Sequence, residues 1–222
     1  MKKTIFLTLV ICFLLTGCGN DKAATEVTET ISATAVTEQS ASKVYPLPDT
    51  TMDNLNDAIL SISLNEGDAY VDDTGKMQMD LTLYSYDQYD MVDISRLKVG
   101  DILVTHAGEV EVAALDRKEN GTILINGGLD ENGFDLITDE TGVYYECGYS
   151  DAKNWHEIGE ATIRVSVDFM YYDTSDLDKG EILYYPGDFL IGAVTDYNFT
   201  PHNTTIRVEN GQIIEMHRVY TP

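Results

Sequence analysis

The segment MQMDLTLY, residues 77–84, decides the fold class of this chain. It places an apolar residue at every second position: Met77, Met79, Leu81 and Leu83. Successive side chains of a strand point to opposite faces, so a period of two is typical of a half-buried β-strand. The segment therefore predicts a strand that lines a core with one face and meets solvent with the other.

Residues 160–168 show the same alternation, and their predicted buried face is Ala161, Ile163, Val165 and Val167. Residues 58–64 fit either the end of a short helix or a first strand, and we favour a strand from Leu60. Short helical elements are predicted at residues 90–97 and, as a single turn, at 176–179.

Turn signals separate these segments at intervals of about 8–12 residues, as in all-β domains. Asn120-Gly121 and Asn210-Gly211 are the pairs that type I′ hairpins favour. The pattern predicts an all-β domain over residues 44–222. We expect an antiparallel β-sandwich or barrel-like domain with one or two short helices.

The N-terminus has the composition of an export signal. Two lysines precede an apolar run from Ile5 to Leu15, which is too short to span a bilayer and fits a cleaved signal peptide. The run ends in Leu15-Thr16-Gly17-Cys18, which resembles the lipobox of bacterial lipoproteins. The resemblance implies that residues 1–17 are a lipoprotein signal peptide and that Cys18 becomes a diacylglyceryl N-terminus. An ordinary signal peptide with a chance cysteine is the alternative.

Lipidation would hold the protein at the extracytoplasmic face of the cell membrane, because two acyl chains of the palmitate type anchor stably. Gly19, and not aspartate, follows Cys18. The Gram-negative signal for inner-membrane retention is thus missing, which favours a Gram-positive cell surface.

Residues 18–43 predict a flexible linker between the lipid and the domain. Sixteen of the 24 residues from 20 to 43 are Thr, Ala, Ser or Glu, and none is aromatic. Such a segment buries too little surface to offset its ordering entropy. As a coil it would reach about 25–30 Å. A helical tether is the alternative, which the β-branched residues disfavour.

The charge of the chain restricts its partners. The formal net charge is −24, and loss of residues 1–17 would leave 12 basic against 38 acidic residues. Such a chain repels phosphate backbones, so we predict no nucleic-acid partner. With Cys12 removed and Cys18 lipidated, no intrachain disulfide can form. Cys147 is expected to pack as a small apolar residue, not to act as a nucleophile.

The folded part resembles uncharacterised exported lipoproteins of Gram-positive gut bacteria. The resemblance rests on LKVGD at residues 97–101, NGG at 126–128 and RVYTP at 218–222. It implies no activity and no functional residue.

Candidate metal ligands are few. Asp173, Asp176 and Asp178 form an oxygen-rich group that would suit calcium, against the alternative of an exposed helix cap. The four histidines are scattered and lack the spacing of a zinc motif. Their assembly by the fold remains open. No glycine-rich phosphate loop is present, and we predict no cofactor.

Aromatic residues interleave with acids and amides, and the candidate ligand-binding residues are Tyr86, Tyr89, Tyr144 and Trp155. A ring beside polar groups suits a sugar or a cationic peptide. The alternative is that these rings are cross-strand pairs that stabilise the sheet.

These features favour a lipid-anchored, non-enzymatic module that binds a glycan, a peptide or an envelope protein. An accessory subunit of an envelope complex is one alternative. An envelope hydrolase, with a site assembled from distant acids, is the other.

Overall fold

A computed structural model describes residues 40–48, 50–148 and 152–221. They belong to one compact unit that begins at Ser40. The predicted signal peptide 1–17, the lipidation site Cys18 and the linker up to residue 39 lie outside the described residues.

The described residues are mostly β-strands with two short helices, which confirms the predicted fold class. The first strands are β1 (Lys43–Val44), β2 (Ala58–Ser63), β3 (Ala69–Val71), β4 (Met77–Ser85) and β5 (Gln88–Tyr89). Helix α1 (Met91–Arg96) is followed by β6 (Ile102–Thr105), β7 (Gly108–Glu111), β8 (Leu115–Arg117), β9 (Ile123–Ile125), β10 (Phe134–Thr138) and β11 (Tyr144–Cys147). The last elements are β12 (His156–Thr174), β13 (Ile182–Tyr184), α2 (Pro186–Leu190), β14 (Thr204–Glu209) and β15 (Gln212–Val219).

Five strands close into a barrel in the order β2-β4-β12-β15-β14 and back to β2. All neighbours are antiparallel except β12 and β15, which are parallel. Counted along the chain as strands 1 to 5, the order is 1-2-3-5-4-1, that of an OB-type Greek-key barrel. The parallel pair is a feature that the antiparallel prediction did not include. A closed ring of five strands cannot alternate direction at every pair, so one pair must be parallel. Here it is formed by the 19-residue strand β12, which leaves β4 to join β15.

The predicted alternation of residues 77–84 is present in β4, whose buried residues are Met77, Met79, Leu81, Leu83 and Ser85. β12 follows its predicted pattern only as far as Val165. The pairing with β15 shifts register between Val165 and Met170, and Val167 is 86% exposed. Phe169 and Tyr171 then return to the barrel interior, where Phe189 of α2 packs against both.

A second β unit, the inserted module of residues 86–155, interrupts the barrel between β4 and β12. Its sheets are β5-β11-β10-β9-β8 and β1-β6-β7, and β1 joins the second in parallel with β6. The module has a core of its own, which includes Tyr89, Ile94, Leu103, Ile125 and Leu136. One compact unit therefore contains two hydrophobic cores, and the chain crosses between them twice.

The hairpin predictions have different outcomes. Asn210 and Gly211 have φ of 50° and 71° and connect β14 to β15 in a two-residue turn, as type I′ requires. At Asn120-Gly121 only Gly121 has positive φ, and Lys118 N donates to Thr122 O around a three-residue loop. A helical turn was predicted over residues 176–179, and the structure has a simple turn at 177–179.

Candidate functional site

The functional candidates lie where the chain crosses between the barrel and the inserted module, at residues 85–88 and 153–156. Two groups of side chains meet there. The aromatic cluster consists of Tyr86, Tyr145, Lys153 and Trp155. The Asp–His cluster consists of Asp87, His106 and His156.

Edge-to-face contacts hold the aromatic cluster together. The ring of Tyr86 lies 4.9 Å from that of Trp155 and 5.9 Å from that of Tyr145, each at 82°. This is a preferred geometry for aromatic pairs. Lys153 Nζ lies 4.1 Å from the centre of the Tyr86 ring and donates a hydrogen bond to its hydroxyl at 2.9 Å. The amine therefore fixes the Tyr86 ring from one side.

A cavity of about 340 Å³ opens beside this cluster. From the barrel it is lined by Ile59, Ser61, Tyr84 and Thr205, and from the crossing segments by Tyr86, Gln88, Lys153 and Trp155. Its described lining residues combine rings, hydroxyls, an amide and an amine, and include no carboxylate. Ile59 is 72% exposed, which adds an apolar surface to its rim.

Of the four predicted ligand-binding aromatics, the structure brings Tyr86 and Trp155 together. Tyr89 is fully buried in the core of the module and donates its hydroxyl to Val104 O at 3.1 Å. Burial raises the pKa of Tyr89, and the nearby Asp87 carboxylate raises it further. Tyr144 pairs with Tyr89 across β11 and β5 and packs against the same core. These two rings stabilise the module and do not line the cavity.

Sequence reasoning missed the other lining residues. Lys153 is an isolated lysine, and Ile59 belongs to an apolar run whose composition does not distinguish inward from outward side chains. Strand alternation is the available signal. It places Ile59 on the outer face of β2 as soon as Leu60 is assigned to the core.

The predicted calcium ligands have other partners. Asp173 is buried and accepts from Arg218 Nη2 at 2.6 Å and from Arg218 Nε at 3.2 Å. Asp176 pairs with Lys179 at 2.8 Å, and Asp178 is exposed. Asp173 and Asp176 thus each bind a cationic side chain of the protein itself.

The Asp–His cluster is assembled by the fold from three separate segments. Asp87 lies in the connection from β4 to β5, His106 in the turn between β6 and β7, and His156 begins β12. One ligating atom from each side chain lies within 4.8 Å of the others. In the sequence the two histidines are about fifty residues apart, so no motif could reveal the site. His202 and His217 lie elsewhere, and His217 stacks on Tyr172.

Hydrogen bonds orient the Asp–His cluster. Asp87 Oδ2 accepts the backbone N–H of His106 at 2.9 Å and lies 2.9 Å from its Nδ1. The rings of His106 and His156 are stacked, with centres 3.9 Å apart. The cluster faces a cleft of about 470 Å³, which Asp53 and Met52 also line. Asp87 is only 4% exposed, so its carboxylate lies at the base of this cleft.

An acidic groove of about 400 Å³ follows the outer face of β4 and β12. Asp68, Asp80 and Glu160 line it, and Thr162 Oγ1 donates to Asp80 Oδ1 at 2.6 Å. OB-type barrels use this face for ligands. Its carboxylates would repel a phosphate backbone.

Cys147 is buried on β11, where its side chain packs within the protein. No helix among the described residues is both long and apolar enough to cross a membrane. Comparison with protein-family models, with curated proteins and with solved structures finds no match for this chain.

Proposed function

We propose that this protein is a lipid-anchored, non-enzymatic module that binds a glycan at the extracytoplasmic face of the membrane. The cavity beside the aromatic cluster is the observation that carries the proposal. Its size lies at the lower end of small-ligand pockets, which suits one end of a glycan chain.

The lining of the cavity has the chemistry that sugar binding needs. Tyr86 and Trp155 offer apolar ring surfaces to the C–H face of a sugar. Gln88 and the half-buried Thr205 provide an amide and a hydroxyl that can exchange hydrogen bonds with sugar hydroxyls. A cationic peptide is a poorer ligand, because Lys153 is the charged residue among the described lining.

The N-terminal sequence supports the location. The lipobox at residues 15–18 would attach Cys18 to the membrane, and the linker would carry the domain outward from it. Mass spectrometry of the native product tests this part separately. A diacylated Cys18 supports it, whereas an unmodified methionine start contradicts it.

Trp155 makes the binding proposal directly measurable, because it is the single tryptophan of the chain. The protein is produced from residue 18 with Cys18 replaced by serine. This removes no part of the compact unit that begins at Ser40. Cell-wall glycan fragments are then titrated while Trp155 emission is recorded, and we expect a saturable change.

Tyr86→Ala should weaken this binding about 30-fold, since an aromatic anchor contributes about 2 kcal/mol to binding. Tyr185→Ala is the matched control, because Tyr185 is exposed and lies outside the cavity lining. Equal affinities in both variants would exclude the cavity as the binding site. Cleavage of the glycan during the titration would instead support the hydrolase alternative.

A further inference from the structure

We propose that Asp87, His106 and His156 form a binding site for one divalent transition-metal ion, with zinc as the best match. The site is separate from the glycan cavity and does not depend on it. One carboxylate and two imidazoles are a ligand set that zinc accepts, and copper and nickel also bind imidazole well. The three ligating atoms already lie within 4.8 Å of one another.

Asp87 and His106 already face each other as two neighbouring ligands would. Asp87 Oδ2 lies 2.9 Å from His106 Nδ1 and also accepts the backbone N–H of His106, which fixes the two side chains side by side. With the ring proton on Nε2, the lone pair of Nδ1 is available, and an ion would take the place of the proton that Nδ1 and the carboxylate otherwise share.

The surroundings favour a cation. Asp87 is a buried carboxylate, and Asp53 lines the same cleft. A buried carboxylate is costly unless a cation accompanies it. The formal charge of −24 adds a long-range attraction for divalent ions.

The stacked rings define what must change when the ion binds. A histidine lone pair lies in the plane of its ring, and two rings 3.9 Å apart at 14° have no shared plane. One imidazole must therefore rotate before both can coordinate the same ion. Because Asp87 holds His106 in place, the ring that rotates is that of His156, which also lines the open cleft. Three protein ligands leave a fourth position for water, facing the cleft.

The test uses the tag-free protein from residue 18 with Cys18→Ser, after treatment with a chelator. Zn²⁺ is titrated by calorimetry, and Co²⁺ by its visible absorption, whose bands report nitrogen coordination. We expect one equivalent of either ion to bind and to raise the thermal midpoint. His106→Ala and His156→Ala should each weaken Zn²⁺ binding at least 30-fold.

His202→Ala is the control, because His202 is an exposed histidine outside the cluster. It should bind Zn²⁺ like the parent protein. Thermal midpoints without metal show that each variant is folded. The proposal is overturned if the parent protein gives no saturable binding, or if both cluster variants retain the parental affinity. Glycan titration followed by Trp155 emission is an independent readout, so failure here leaves the glycan proposal intact.

Discussion

The ion pair between Asp173 and Arg218 gives the sharpest prediction for stability. Both side chains are about 5% exposed, and two hydrogen bonds join them. Asp173 also accepts from the Tyr171 hydroxyl at 2.7 Å and from Ser175 Oγ at 2.6 Å. Asp173→Asn keeps the shape of the side chain but removes the buried counter-charge of the Arg218 guanidinium and leaves it the Asp196 carboxylate, which is exposed and 3.5 Å away.

The expected loss is about 3 kcal/mol of unfolding free energy, the usual cost of removing one partner of a buried pair. Asp178→Asn removes a carboxylate from an exposed position nearby and should change stability by less than about 0.5 kcal/mol. Urea unfolding at pH 7 measures both values.

The pH dependence of the unfolding free energy gives a second measure of how much the Asp173–Arg218 pair stabilises the protein. Burial alone would raise the pKa of Asp173, but hydrogen bonds from Arg218, Ser175 and Tyr171 outweigh it and lower the pKa from 3.8 to about 2. A lowered pKa in the folded state stabilises the protein above pH 3.8, and this contribution is lost as the pH falls towards 2. It amounts to about 2 kcal/mol, since one pKa unit corresponds to about 1.4 kcal/mol.

The parent protein should therefore lose about 2 kcal/mol more than Asp173→Asn when unfolding is measured from pH 5 down to pH 2. Parallel pH profiles for the two proteins would refute this account. So would a loss of less than about 1 kcal/mol in Asp173→Asn at pH 7.

Three further substitutions each add or remove a single atom, two of them in the inserted module and one in helix α2. Gly133→Ala should destabilise by about 3 kcal/mol in urea unfolding, because the new Cβ would lie 1.9 Å from the carbonyl oxygen of Ile125. Gly187→Ala, in α2 with open space around it, should be neutral or stabilise by up to about 1 kcal/mol. Tyr89→Phe should lose about 1 kcal/mol, the contribution of its hydrogen bond to Val104 O, and an unchanged midpoint would contradict that bond.

The sequence was sufficient for those features that short-range geometry determines. Residues 77–84 alternate because β4 has one buried face, and Asn210-Gly211 turns because both residues adopt positive φ. Helix α1 was predicted over residues 90–97, and Asp90 Oδ1 caps its first turn by accepting from Val92 N at 2.7 Å. Each of these depends on contacts within a few residues.

Features that depend on the neighbours of a strand could not be predicted in this way. Nothing in residues 160–168 indicates that β12 would change partner and pair in parallel with β15. The register shift after Val165 turns Val167 outward, although its place in the alternating pattern predicts burial. The Asp–His cluster is a further example, because its ligands come from three segments that only the insertion of the module brings together.

The two proposed sites share the same two passages of chain. Tyr86 precedes Asp87, and Trp155 precedes His156. Consecutive residues of an extended chain point to opposite sides. The residues that line the two cavities follow this rule. Tyr86 and Trp155 face the cavity beside the aromatic cluster, whereas Asp87 and His156 face the cleft of the Asp–His cluster.

An ion that ties the Asp–His cluster together would hold both passages at their crossing and so restrict the rings on the other side. We therefore expect saturating Zn²⁺ to change Trp155 emission and to strengthen glycan binding. Linkage requires that the glycan tighten Zn²⁺ binding by the same factor. Calorimetric titration of each ligand in the absence and presence of the other measures both factors. If each ligand binds with an affinity that the other does not alter, the clusters are energetically independent despite sharing a backbone, and the crossing segments are rigid without the ion.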